Sequence, residues 1–96
     1  MRLVFSDEAE QDLEAIGDYI AEDSPLRAVS FLKELRIACR GLLDAPMRFS
    51  ALEGLQRYRR RVYGRYAIIY AIMGDEVLVV RVLSVARDLK AILAGD

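Results

Sequence analysis

Two neighbouring segments, Tyr66–Ile72 and Val77–Leu83, are apolar on both of the faces that an extended chain presents. In the first, Tyr66, Ile68, Tyr70 and Ile72 fall on one side and Ala67, Ile69 and Ala71 on the other. In the second, Val77, Val79, Arg81 and Leu83 oppose Leu78, Val80 and Val82. Their β-branched and aromatic content marks them as strands, and the turn signal at Gly74-Asp75 joins them antiparallel. Such strands must be covered on both faces. With 96 residues in all, the chain holds one domain and one main core, so this demand limits everything else.

The first half reads as the cover for one face. After a short strand candidate at Leu3-Val4-Phe5, Ser6 stands as a helix N-cap, with Asp7, Glu8 and Glu10 where the helix dipole favours negative charge. Ala9, Leu13, Ile16 and Ile20 then recur at helical spacing. Ser24-Pro25 begins a second helix, proline being suited to the first helical position. Ala28, Phe31, Leu32, Leu35, Cys39 and Leu42 form its apolar stripe, and it should stop near Asp44-Ala45-Pro46. So short a link makes the two an antiparallel hairpin. Residues 46–56 read as a loop, Arg57–Tyr63 as a further strand ending in a turn at Gly64, and Asp88–Leu93 as a short helix. The expected class is α+β in the order β-α-α-β-β-β. A hairpin covers only one sheet face, and only the last dozen residues remain for the other, so a partner segment is expected there.

Charge divides along the chain. Residues 1–44 carry five Lys/Arg and ten Asp/Glu, a balance of −5, and residues 45–96 carry nine and five, a balance of +4. That asymmetry predicts different partners for the two halves. The mildly acidic pI of about 5.5 argues against a bulk nucleic-acid binder. Six arginines lie between Arg48 and Arg65 against the single carboxylate of Glu53. Arg59 and Arg61 share one side of their strand while Arg60 points the other way. This row fits a docking surface for an acidic partner, and also a solvated edge strand whose charges prevent aggregation. Arg81 interrupts an apolar strand, so its stem snorkels or its head meets a carboxylate, with Asp88 a candidate.

Little here suggests catalysis. The chain has no histidine, which removes the usual acid–base group at neutral pH. Arginine is a poor proton shuttle, and the only lysines are Lys33 and Lys90. Glu53 is a conceivable base that a loop position makes ordinary surface. No metal-ligand spacing appears, and neither does a phosphate-binding glycine loop. Cys39 lies at an apolar helical position and serves as a small hydrophobe. Arg2–Phe5 is too short for a signal-peptide core, and no 18-residue apolar run predicts a membrane span. The expectation is a reduced, cytoplasmic protein without membrane contact, metal or cofactor.

Four stretches together resemble the ParE branch of the RelE/ParE toxin superfamily. They are Ala9-x-x-Asp12-Leu13-x-x-Ile16-x-x-Tyr19-Ile20, Ser24-Pro25-x-x-Ala28, Arg59-Arg60-x-x-Tyr63-Gly64-Arg65-Tyr66-x-Ile68-x-Tyr70, and Arg81-Val82-Leu83-Ser84-x-Ala86-Arg87-Asp88. The resemblance covers essentially the whole chain and implies the fold order given above. It implies a noncatalytic toxin of a type II toxin–antitoxin pair, acting on DNA gyrase and neutralised by a ParD-like antitoxin, with no direct sequence-specific nucleic-acid binding. RelE relatives instead imply ribosome-dependent mRNA cleavage. Ser84, where many relatives carry histidine, also leaves open an inactive homologue that only binds antitoxin. The target surface implied comprises Arg57, Arg59, Arg61, Arg65, Arg81 and Arg87. An antitoxin lying across sheet and hairpin would meet Leu13, Ile16, Ile20, Tyr66, Ile68, Tyr70, Val79 and Arg81.

Overall fold

The helix starts form as their sequences dictate. In the computed structural model, which describes residues 1–94, the Ser6 hydroxyl accepts from the Ala9 amide at 3.0 Å and donates to the Val80 carbonyl at 2.7 Å. One side chain thereby caps a helix and pins it to the sheet. Strand β1 (Arg2–Phe5) leads into α1 (Asp7–Ala21). Ser24 caps α2 (Pro25–Arg40) by accepting from the Arg27 amide at 3.1 Å. A 3₁₀ turn at Gly41–Leu43 follows, ahead of Pro46. The rest is β2 (Ala51–Leu52), β3 (Leu55–Tyr63), β4 (Tyr66–Met73), β5 (Glu76–Ser84) and α3 (Leu89–Ala94).

The five strands make one sheet in the order β1-β5-β4-β3-β2. β1 runs parallel to β5, with Leu3 opposite Val77 and Phe5 opposite Val79, and all other pairings are antiparallel. The α+β class, the hairpin, the meander and the short last helix are therefore as expected. One difference lies in residues 46–56. They hold β2, and β3 begins at Leu55 rather than Arg57, because Gly54 at φ +78° turns the chain tightly enough for Leu52 to pair with Leu55.

The hairpin buries one sheet face. Leu13, Ile16, Phe31, Leu35, Cys39 and Leu42 pack on Ile68, Tyr70, Val77, Val79 and Val82. Alternation in β5 differs from the expected pattern. A bulge falls where Tyr70 faces Val79 while Ile69 faces Arg81, leaving Val80 as the extra residue. Past it the faces exchange, so Val82 joins the core under the hairpin in place of Arg81 and Leu83. On the other face Leu93 of α3 is buried against Leu52, Ala67 and Ile69, with Leu55, Tyr58, Val80 and Leu89 around them. The last residues thus cover part of the second face, leaving Val62 and Val85 exposed beside it.

Candidate functional site

The alternation of β3 separates its arginines. Arg59 and Arg61 turn toward the helical side and are spent on structure. Arg59 donates to the Phe49 carbonyl at 2.6 Å and the Met47 carbonyl at 3.2 Å, holding the loop that follows the 3₁₀ turn. The same loop is held by Tyr70, whose buried hydroxyl donates to the Pro46 carbonyl at 2.7 Å. Arg61 donates to the Ala38 carbonyl at 2.8 Å and lies 5.1 Å from the Phe49 ring centre. It thus satisfies a carbonyl in the last turn of α2, where the dipole favours a cation.

Arg81 is also structural, and its partner is not Asp88. Its Nε and Nη2 donate to the two Asp12 oxygens at 2.8 and 3.0 Å, and the Val82 amide donates to Asp12 at 2.9 Å. The pair is largely shielded, with side chains 19% and 15% exposed. Asp88 instead accepts from the Ala91 amide at 3.2 Å at the start of α3. Three of the six expected target arginines are thus fold-holding side chains. Arg57 and Arg65 stand exposed near the start of β3 and just past its end, and Arg87 is exposed beyond β5.

The expected antitoxin contacts also need revision. Leu13, Ile16, Ile68, Tyr70 and Val79 are at most 6% exposed, because the chain's own hairpin covers that sheet face. Ile20 and Tyr66 are half-buried at its margin.

What the fold does bring together lies behind the sheet. A cleft of about 680 Å³ is bordered by Arg48, Arg60, Arg87 and Lys90, with Glu53 and Asp88 on its rim and Leu52, Val62, Val85 and Leu89 among its apolar walls. Arg60 comes from β3, Arg87 from the exit of β5 and Lys90 from α3. The Lys90 ammonium lies over the Gly54 turn, 3.3 Å from where a Cβ there would sit. Among the described residues no carboxylate lies within ion-pair distance of Arg60 or Arg87. Sequence reasoning left Arg48, Arg60 and Lys90 out of the site. The signal for Arg60 was present: if the hairpin takes the Arg59 and Arg61 side, Arg60 must face the other.

The cleft is lined by four cationic side chains, Arg48, Arg60, Arg87 and Lys90. Its guanidinium groups can fork onto carboxylate or phosphate. Other reactive side chains are engaged in structure. The Cys39 thiol is fully buried and pushed up to about 11 by desolvation. The Tyr63 phenol is raised by donating to Glu34 at 2.7 Å, and Glu34 is lowered by Arg27 and then by that phenol. No group of three metal-ligating side chains occurs among the described residues, and none of their helices is long and apolar enough to cross a membrane.

Comparison with known proteins gives one family. The chain matches the family described as the ParE toxin of the type II toxin–antitoxin system parDE over residues 3–89. Among solved structures it is similar to a chain of the chromosomal ParDE system of P. aeruginosa, at 19% identity and a TM-score of 0.76, covering 88% of this chain and 96% of that one. No curated protein matches it. With a family match spanning nearly all of β1 to α3, and a fold shared with a ParDE structure, this chain belongs to the ParE toxin family of type II toxin–antitoxin systems.

Proposed function

We propose that this chain is a noncatalytic toxin that binds and inhibits DNA gyrase and is neutralised by a ParD-like antitoxin. The observation that carries this reading is the pair Arg60 and Arg87, exposed on the cleft with no carboxylate partner among the described residues. Cations left solvated beside an apolar wall favour an acidic protein surface as ligand. The chain has no histidine to move protons at neutral pH. An antitoxin would neutralise the toxin by covering this cleft and the apolar margin around Val62 and Val85.

The double variant Arg60→Ala/Arg87→Ala tests this. Both side chains are exposed, so its melting temperature should match wild type. Loss of two charge-assisted contacts, at about 1.4 kcal/mol each, should weaken inhibition of purified gyrase supercoiling about a hundredfold. Full inhibition by the folded double variant would refute the assignment. Arg59 and Arg61 are unsuitable for this test, because their loss releases the 46–50 loop and the end of α2.

A second reading, a ribosome-dependent endoribonuclease, is favoured by one observation. Glu53 and Lys90 line the same cleft as Arg60 and Arg87, so a carboxylate and an ammonium share a site with two guanidinium groups. Induction of the chain in a bacterial host separates the readings. DNA damage with translation intact supports gyrase inhibition. Immediate translation arrest with cut mRNA supports the nuclease, and normal growth supports an inactive homologue that only binds antitoxin.

A further inference from the structure

The four cations of the cleft differ in what holds them. Arg60 is fixed by β3 and Lys90 by α3, whereas Arg48 stands on the 44–50 stretch of turns and bends. A stretch without regular structure ordinarily leaves a long side chain loosely placed. Here its carbonyls are taken one after another. Ala45 accepts from the Arg48 amide at 3.0 Å and Ser50 from the Arg60 amide at 3.1 Å. Pro46 accepts from the Tyr70 hydroxyl at 2.7 Å, and Met47 and Phe49 accept from one Arg59 nitrogen at 3.2 and 2.6 Å. The Phe49 ring packs against the hairpin core while it also borders the cleft. Its centre lies 5.5 Å from the Arg48 guanidinium and 5.1 Å from that of Arg61.

Tyr70 and Arg59 reach this loop from the far side of the sheet. They are cross-strand neighbours, Tyr70 is fully buried under the hairpin, and neither lines the cleft. The chain passes from that side at Pro46 to the cleft side at Leu52, which packs behind the sheet. Arg48 lies within this crossing, so its placement depends on how the crossing is held. A guanidinium whose backbone is fixed and whose head lies over a ring loses less freedom when it meets a carboxylate. We infer that Arg59 and Tyr70 are positioning residues, which from the hairpin side present Arg48 to the acidic ligand that the cleft receives. This role rests on the cleft being the ligand site proposed above, whichever protein supplies the acidic surface. It gives Arg59 a part in recognition without contact. A merely structural tie would weaken binding by the same factor whether or not Arg48 is present, and positioning would not.

A double-mutant cycle on the full chain separates positioning from contact and from general loosening. The probe is a glutamate hexapeptide, titrated at low ionic strength and followed by nuclear magnetic resonance at the amides of residues 48, 60 and 87. Arg48→Ala should weaken its binding about fivefold. Arg59→Met, which keeps an apolar stem and removes the donors, should weaken it by a similar factor. In Arg48→Ala/Arg59→Met the affinity should stay within about twofold of Arg48→Ala alone. Tyr70→Phe removes one hydroxyl and leaves the packing, so it should show the same dependence on Arg48 with circular dichroism unchanged. Factors that multiply in the double variants overturn the inference. So do undiminished binding by both Arg59→Met and Tyr70→Phe, an Arg48→Ala variant that binds like wild type, and a wild-type chain that does not bind the peptide. The same proteins in a gyrase supercoiling assay test the target separately. Coupled peptide affinities in a wild-type chain that leaves gyrase uninhibited would uphold the positioning role and refute gyrase as the target.

Discussion

At the scale of single residues, the contact between Asp12 and Arg81 accounts for more of this fold than any exposed arginine. One carboxylate takes two guanidinium bonds and a backbone amide, tying α1 to β5 just past the bulge. Losing either partner removes a charge-assisted contact from a shielded site. Asp12→Ala or Arg81→Ala should therefore each cost about 3 kcal/mol by urea denaturation. The double variant Asp12→Ala/Arg81→Ala should cost clearly less than the two singles added together. Strict additivity would show that the contact contributes nothing. Cys39 gives a pH signature. Burial lifts its thiol from an ordinary 9.0 to about 11, so the unfolded chain ionises first. Its contribution to stability is constant below about pH 9 and declines as pH rises toward 11. Cys39→Ala should remove that component of the alkaline decline, and a thiol reagent at pH 8 should label wild type only in denaturant. Rapid labelling of the folded chain would contradict the burial. For Arg81 the sequence pointed to a carboxylate but not to which one, because its partner lies 69 residues away and a period-two pattern carries no information about a bulge.

Among the elements, the helical hairpin and the three long strands could be read almost directly. Capping serines, the Ser24-Pro25 start and the change from a helical to a strand period are local signals, and local signals survive folding here. The 46–56 stretch could not be read so, since β2 is two residues long and exists only through the turn at Gly54. Its position matters, because β2 and the neighbouring loop form one wall of the cleft. The last helix is the element with the sharpest consequence. Leu93 is its buried anchor against Leu52, Ala67 and Ile69. Ending the chain at Asp88 should forfeit about 2 kcal/mol for that one leucine. It should also raise the fluorescence of a hydrophobic dye several-fold while circular dichroism still reports the hairpin and sheet. An unchanged dye signal would mean that the second sheet face is not held closed by α3.

For the molecule as a whole, the division into an acidic first half and a basic second half is real but not a division between two partners. Part of it is satisfied internally, where Asp12 meets Arg81 across the hairpin–sheet junction. What remains is the cationic cleft behind the sheet. Topology then has a temporal meaning. β1, the first strand synthesised, pairs in parallel with β5, nearly the last, so that Leu3 meets Val77. Asp12 likewise waits for Arg81. A growing chain therefore cannot complete its sheet until β5 has emerged to pair with β1, or assemble the cleft that needs Arg60, Arg87 and Lys90 together until Lys90 has emerged.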